Sequence, residues 1–474
     1  MKRRIFILTL VLTTALLSGC QTAEKPAEIS GSVTANVLAE EENTEEVAEV
    51  TEQTETDESI VATKDEAAES ETSEIPILRD CYEQTMGGFV GCAVSGTTIE
   101  DPKVFELMTT HFNAVTLENE LKPDALFNYS NSKCPGTQEA VIGDVTIEVP
   151  KLDFSRAEKM LDKIYDWNSA NPDRALKVRG HVLLWHSQTP EWFFHENYDK
   201  KEPYVSKEVM DLRMEWYIKA VLEHFTGEDS KYKDMFYGWD VLNEAVSDNT
   251  GTYRTEKENG SESLNDDTHS SNSSWWAVYQ SEEYIVKAFT YANKYAPAEL
   301  ELYYNDYNEC TLVKRNGILA LLTMVKEHEG APGEGTRISG MGMQGHYNMD
   351  QPSFPDIEYS IKAYCEVVGS VQITELDMKA SDGYTRSKES VQEEYEKQRK
   401  RYNMIYYGIK SAVNTDPNVK FDGITFWGVA DHHSWLNSGS TLGGGSVMGL
   451  PACPLLFDEN YEPKPCFYVF ADSK

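Results

Sequence analysis

The sequence predicts an α/β fold: a (β/α)8 TIM barrel in one catalytic domain, preceded by a disordered acidic tether. Three observations predict it. Short apolar runs recur eight times between residues 89 and 427, with segments of helical period between most of them. Polar residues gather just after these runs, where a barrel would bring them to one rim. The composition changes near residue 76, from acidic and free of aromatics to mixed and aromatic-rich.

The first twenty residues read as a targeting segment. Lys2-Arg3-Arg4 is a charged start, and Ile5 to Leu17 is an apolar run of thirteen, too short to span a membrane as a mature helix. It ends Leu17-Ser18-Gly19-Cys20, which resembles the lipobox of bacterial lipoproteins. That resemblance implies cleavage before Cys20 and a lipid on its sulfur, so an exported protein anchored at the cell surface or envelope with no transmembrane helix. The other reading is an ordinary secretory signal. Residues 21–76 hold 17 Asp plus Glu, two Lys and no aromatic residue, and so too little apolar surface to offset the entropy of ordering. A helical acidic stalk around Glu40 to Glu52 is the alternative.

The strand candidates are Phe89–Val94, Ala114–Leu117, Lys177–Trp185, Phe236–Leu242, Leu300–Tyr304, Ile338–Met343, Val371–Leu376 and Phe421–Trp427. Between them, Ser155–Ala170 places Ala157, Met160, Leu161, Ile164 and Tyr165 on one helical face. Val391–Ala412 does the same with Val391, Tyr395, Gln398, Tyr402, Ile405 and Ile409, and Leu312–Glu327 reads as a third helix. The domain 77–474 is long for a barrel. Two stretches, Asn128 to Leu152 and Ser247 to Ser274, read as loops inserted at the carboxyl ends of strands. A doubly wound open sheet is the alternative, but no G-x-G-x-x-G or P-loop supports a nucleotide site in it.

The chain has 474 residues and a formal charge of −36, which argues against nucleic acid and suits a neutral substrate. Nine Trp and 26 Tyr supply core, and flat surfaces on which sugar rings stack. Beyond Cys20 there are seven cysteines. Cys81 with Cys92, and Cys453 with Cys466, are close enough in sequence to bridge; buried thiols are the equal alternative. No spacing suggests a zinc site.

Two strand candidates end in a carboxylate. Phe236-Tyr-Gly-Trp-Asp-Val-Leu-Asn-Glu-Ala245 presents Glu244, and Val371-Gln-Ile-Thr-Glu-Leu-Asp377 presents Glu375. Two carboxylates on facing strand ends are what acid-assisted attack on a glycosidic bond needs. The rim carries more: Glu118, Asn119 and Lys122; His181, Trp185, His186 and Gln188; Asn243; Asn305, Asp306, Tyr307 and Asn308; Gln344, His346 and Tyr347; Asp377; then Trp427 and Trp435. A lone His or Trp at a strand end is more often structural than functional. Seven of eight ends enriched in the same groups are hard to assign to packing.

The chain from about Pro76 to Ala471 resembles glycoside hydrolase family 10, the endo-β-1,4-xylanases. The motifs that carry the resemblance are Thr116-Leu-Glu-Asn-Glu-Leu-Lys122, Arg179-Gly-His-Val-Leu-Leu-Trp-His-Ser-Gln188, Trp239-Asp-Val-Leu-Asn-Glu-Ala245, Asn305-Asp-Tyr-Asn308, Gly340-Met-Gly-Met-Gln-Gly-His346, Ile373-Thr-Glu-Leu-Asp377 and Phe426-Trp-Gly-Val-Ala-Asp431. The resemblance implies Glu244 as acid/base and Glu375 as nucleophile of a retaining mechanism, with His346 and Asp377 holding the nucleophile. It implies Asn243 and Gln344 around the 2-hydroxyl and the nucleophile. Glu118, Asn119, Lys122, His181, Trp185 and Gln188 fall on the glycone side, Trp427 and Trp435 cover it, and Tyr307 stacks on the aglycone side. The implied partners are xylan and xylo-oligosaccharides, the implied state a monomer, and no metal or organic cofactor is needed. Pro123 stands where the family usually has Trp, Ser339 where Asp is common and Leu242 where Val is common. A barrel glycosidase for cellulose or mannan, and a surface lipoprotein that captures glycan without cleaving it, are the competing readings.

Overall fold

A computed structural model describes residues 75–258, 271–381, 384, 388–438 and 453–471. Cys20, the signal segment and nearly all of the expected tether, with its alternative stalk, lie outside the described residues. Among the described residues, twelve strands and eleven α-helices follow in chain order. They are α1 (Leu78–Thr85), β1 (Phe89–Val94), α2 (Pro102–His111), β2 (Ala114–Leu117), α3 (Pro123–Leu126), β3 (Thr137–Ile142), β4 (Val145–Pro150), α4 (Ser155–Ala170), β5 (Lys177–Gly180), β6 (Leu184–Trp185), α5 (Lys207–Thr226) and β7 (Phe236–Asn243). Then come α6 (Ser274–Tyr279), α7 (Glu283–Tyr295), β8 (Glu301–Asp306), α8 (Leu312–Glu327), β9 (Gly340–Met343), β10 (His346–Tyr347), α9 (Phe354–Val368), β11 (Val371–Met378), α10 (Lys388–Thr415), β12 (Phe421–Phe426) and α11 (Phe467–Ala471).

Eight parallel strands close on themselves in the order β1-β2-β5-β7-β8-β9-β11-β12, with β12 returning to β1. All eight expected runs therefore become barrel strands, and the open-sheet alternative falls. One run breaks: the third splits into β5 and β6, and β6 rejoins the wall by pairing Trp185 with Asn243. The sixth shortens to β9, and a separate short strand beyond it, β10, pairs His346 with Asp377. His181 lies in the gap after β5, and Gln344 in the gap between β9 and β10.

Outside the wall, α4 and α8 occupy the residues their periodicity predicts. Ala157, Met160, Leu161 and Ile164 are buried, whereas Tyr165 is 37% exposed and leaves the expected face. On α10, Gln398, Tyr402, Ile405 and Ile409 are buried, while Val391 and Tyr395 are only half-buried. Ser206, Ser273 and Ser353 cap α5, α6 and α9 through their hydroxyls, satisfying first-turn N–H groups. The insertion 128–152 is not all loop: β3 and β4 form a six-pair antiparallel hairpin. None of the seven cysteines from Cys81 onward is in a disulfide, so neither suggested bridge forms.

The barrel interior is polar at its heart. Arg179 from β5 donates to Asp240 of β7 through Nη2 (2.5 Å) and Nε (3.2 Å), and through Nη1 to Gln372 of β11 (2.8 Å). Its guanidinium lies 4.0 Å from the Tyr303 ring. Burial opposes its charge, but the Asp240 carboxylate more than compensates and holds it above its ordinary range. Glycine makes the room. A Cβ on Gly342 would lie 2.3 Å from Asn305 Oδ1 and 2.9 Å from Arg179 Nη2, and one on Gly180 would enter the Trp239 ring.

A second buried acid lies behind β10. Glu309 is fully buried; it accepts from Tyr347 Oη at 2.6 Å through Oε1, while Oε2 has no hydrogen-bond partner among the described residues. Burial raises its carboxyl to about 7.

Two outcomes follow from this interior. Gly342→Ala forces Asn305 and Arg179 apart and costs about 1–3 kcal/mol of stability, read from urea unfolding; an unchanged midpoint would refute the packing described. For Glu309 the folded pKa exceeds the unfolded value near 4.5. The unfolded chain therefore releases this proton first, and stability falls as pH rises from about 4.5 through about 7, by roughly 3 kcal/mol at 1.36 kcal/mol per unit. Glu309→Gln should flatten that part of the profile, leaving the variant the more stable relative to wild type at pH 8 than at pH 5.

Candidate active site

β7 is buried from Gly238 to Asn243 and delivers Glu244 immediately past its end. Glu244 has φ +56°, an uncommon backbone for a residue with a side chain. Two hydrogen bonds fix it: its N–H donates to the Asn305 carbonyl (2.9 Å) and Arg254 Nε donates to its own carbonyl (3.1 Å). Its carboxylate is gripped on both oxygens. Trp185 Nε1 donates to Oε2 (3.0 Å); Asn243 Nδ2 (3.0 Å) and Gln344 Nε2 (2.9 Å) donate to Oε1.

Glu375 faces the mouth from β11 and is 5% exposed. Asn305 Nδ2 donates to its Oε1 at 2.8 Å, His346 Nε2 lies 3.1 Å from its Oε2, and His181 Nε2 is 4.0 Å from Oε1. Burial by itself would raise its pKa. The His346 hydrogen bond, with His181, His346 and Lys122 facing it, outweighs burial and holds the carboxyl well below its usual range. His346 moves the other way. Burial disfavours its charge, but Asp377 and Glu375 on its two nitrogens hold it as an imidazolium far above its ordinary range. Its Nδ1 lies 2.8 Å from Asp377 Oδ1, and Trp435 Nε1 donates to Asp377 Oδ2 at 2.7 Å. A chain of amides joins the two carboxylates: Asn243 Nδ2 bonds Glu244, Asn305 Nδ2 bonds Asn243 Oδ1 (2.9 Å), and the same Nδ2 bonds Glu375.

The remaining expected residues fall around this pair. Lys122 is buried and donates to Asn119 Oδ1 (3.2 Å) and Gln188 Oε1 (3.1 Å), with its ammonium 5.1 Å from the Trp185 ring. Glu118 is raised by burial, with Lys122 opposing and the Glu375 charge adding to the rise. Trp427 stands edge-on to His181 and His346 at 5.6 and 6.2 Å, and Trp435 packs on His346 at 5.2 Å. Tyr307 is half-buried: its hydroxyl donates to Asp248 and Lys314 Nζ lies 4.2 Å from its ring. His186 is held well below its ordinary range by burial and by nearby Arg254 and Lys314, and its buried Nδ1 has no hydrogen-bond partner among the described residues.

The structure adds groups that the motifs left without a role. Asn305, placed at the rim without a task, bonds Glu375 directly. Asp240 accepts from His181 Nδ1 (2.9 Å) and so turns Nε2 toward Glu375. Thr374 Oγ1 donates to Asn305 Oδ1 (2.6 Å) and fixes which way that amide points. Arg254 sits in the insertion after Glu244. The available signal was a charge in mid-run: Arg179 between Val178 and Gly180, and Asp240 between Trp239 and Val241. Asp431, at the end of a motif, is structural, paired at 2.9 Å with buried Lys464.

Chemically, the cleft presents one carboxylate locked in its ionised form and a second held beside it by neutral donors. That suits attack at an anomeric carbon with proton transfer to the leaving oxygen. The chain is similar to endo-1,4-beta-xylanase Y of Acetivibrio thermocellus, 33% identical over 402 residues, which cover 83% of this chain and 32% of that protein. It therefore spans about a third of that relative's length. It is 32% identical to an endo-1,4-beta-xylanase of Geobacillus stearothermophilus over 84% of this chain and 98% of that one. Its fold is similar to that of the CBM22-1–GH10 modules of Clostridium thermocellum endo-1,4-beta-D-xylanase 10B, solved with xylohexaose. There the TM-score is 0.66 and the identity 30%, covering 84% of this chain and 67% of that one. The sequence model of glycosyl hydrolase family 10 matches residues 78–473, and with this fold and this pair of carboxylates the chain belongs to that family.

Proposed function

We propose that this protein is an endo-1,4-β-xylanase that cleaves internal bonds of xylan by a retaining double displacement, with Glu375 as nucleophile and Glu244 as acid/base. The observation that carries the reading is the environment of Glu375: a buried carboxylate kept ionised by His346, itself charged through Asp377. Glu375 attacks the anomeric carbon while Glu244 protonates the departing oxygen. A glycosyl ester forms on Glu375. Glu244, now a base, takes a proton from water, which attacks the same carbon and releases Glu375. The step needs the two carboxyl groups roughly 5–5.5 Å apart. Trp185, Asn243 and Gln344 aim Glu244. Lys122, Asn119 and Gln188 offer hydrogen bonds to sugar hydroxyls on the glycone side, under the Trp427 and Trp435 rings. Tyr307 offers a ring face on the aglycone side.

Reducing-sugar release is expected from xylan and not from carboxymethylcellulose or mannan. Glu375→Ala should abolish it, and Glu244→Ala should lower it by about 10²–10⁴-fold. With an activated aryl xylobioside, Glu244→Ala should accumulate a covalent intermediate visible as a mass increase on the peptide carrying Glu375. Release from all three polymers would instead describe a broad β-glycanase. Xylan binding without turnover in the wild type would describe a capture protein.

We also propose that Cys20 carries a lipid that tethers the enzyme to a membrane through residues 21–76. The lipobox-like Leu17-Ser-Gly-Cys20 and the acidic, aromatic-free composition after it support this reading. Wild type expressed in a bacterium with its own signal should partition into the detergent phase, and Cys20→Ser should move to the aqueous phase. Equal partitioning of the two would exclude the anchor.

A further inference from the structure

Away from the catalytic cleft, three potential ligands from two separate segments converge. Asp101 caps α2, its Oδ1 accepting the Lys103 N–H at 2.8 Å. His432 and His433 lie in a short 3₁₀ turn after the last barrel strand, their ring centroids 3.8 Å apart. One ligand atom from each of the three lies within 4.8 Å of the others. The turn is rigidly seated, because Asp431 at its start is buried and bound by Lys464 and by the Leu455 N–H. Tyr461 sits among them, its hydroxyl donating to Asp101 Oδ2 (2.5 Å) and lying 3.1 Å from His432 Nε2.

The bonding of this group is unfinished. His433 Nε2 is shielded from water and makes no hydrogen bond among the described residues; Asp101 Oδ2 faces it as an ion-pair partner 3.7 Å away. A buried imidazole nitrogen without a hydrogen bond needs an explanation, and a cation is one. The cluster is also reachable, since His432 is exposed and Asp101 and His433 are only partly covered. Asp101 Oδ2 and His433 Nε2 are already near the spacing of two ligands about 2.1 Å from one ion. A rotation of the exposed His432 side chain brings the third in. Two imidazoles and one carboxylate match zinc, cobalt, nickel or copper better than calcium or magnesium, which prefer all-oxygen sets.

We propose that Asp101, His432 and His433 form a binding site for a divalent transition-metal ion, which staples the turn after β12 to the start of α2. The site is structural and takes no part in glycoside hydrolysis. Its reach to the active site runs along the chain: two residues after His433, Trp435 bonds Asp377. Metal occupancy therefore braces the segment that covers the cleft.

The test uses the untagged full chain, stripped with EDTA. Co²⁺ is titrated while visible absorption is followed, and Zn²⁺ is titrated by calorimetry. One equivalent should bind, raise the melting temperature, and be removed by EDTA. His432→Ala, at an exposed position that leaves the fold intact, and His433→Ala should each weaken binding by about tenfold or more and abolish the melting shift. If wild type binds no equivalent, the proposal is wrong. If both His variants bind as tightly as wild type, the ion sits elsewhere, on one of the thiols for instance, and the proposal is equally overturned.

Discussion

Asp240 is the residue on which this site depends. It lies inside the barrel, 1% exposed, and its two oxygens serve Arg179 twice and His181 once. A buried carboxylate is costly without partners, and here each partner has a second task. Arg179 reaches across to Gln372 on β11, which in turn meets Tyr237 and Tyr303, so one ion pair ties four strands at mid-barrel. His181 hands the same anchoring upward to Glu375. Catalytic groups on a rim need a floor that does not give, and this floor is a hydrogen-bonded polar layer rather than a greasy plug.

The rim itself divides into two electrical halves. Around Glu375 three charged or chargeable groups gather, His346, His181 and Lys122, beside one neutral amide, Asn305. Around Glu244 the direct partners are an indole and two amides. In the proposed mechanism the nucleophile must stay ionised and the acid/base must change state each half-cycle, so fixed charge suits the first and neutral donors the second. Behind Glu244 the cations Arg254 and Lys314 are already engaged by Asp248, Asp306 and backbone carbonyls, rather than by the carboxylate.

The barrel was legible because its strands are short, apolar and regularly spaced, and the carboxylate pair because Glu244 follows one such strand and Glu375 lies toward the end of another. The failures have definite physical causes. Lys177–Trp185 reads as one strand, but the ladder stops at Gly180, where a side chain would strike Trp239, and resumes at Leu184. Residues 137–150 alternate weakly and looked like loop; their pairing with each other makes the hairpin, and pairing is not a local property. Asn305 carried no assigned task because its amide acts through a partner seventy residues away. Tyr165 fitted a helical face that the neighbouring elements leave open.

Five of the seven thiols of the domain are withdrawn from its surroundings. Cys92, Cys310, Cys365, Cys453 and Cys466 are buried, and burial raises Cys92, Cys310, Cys365 and Cys466 above their ordinary range, so their reactive thiolate is suppressed. Cys453 and Cys466 sit beside the polar groups of Tyr384, Gln398 and Leu455 instead of joining each other. Packing and hydrogen bonds close the described barrel without a crosslink, and its five buried thiols are sheltered from exchange with other thiols.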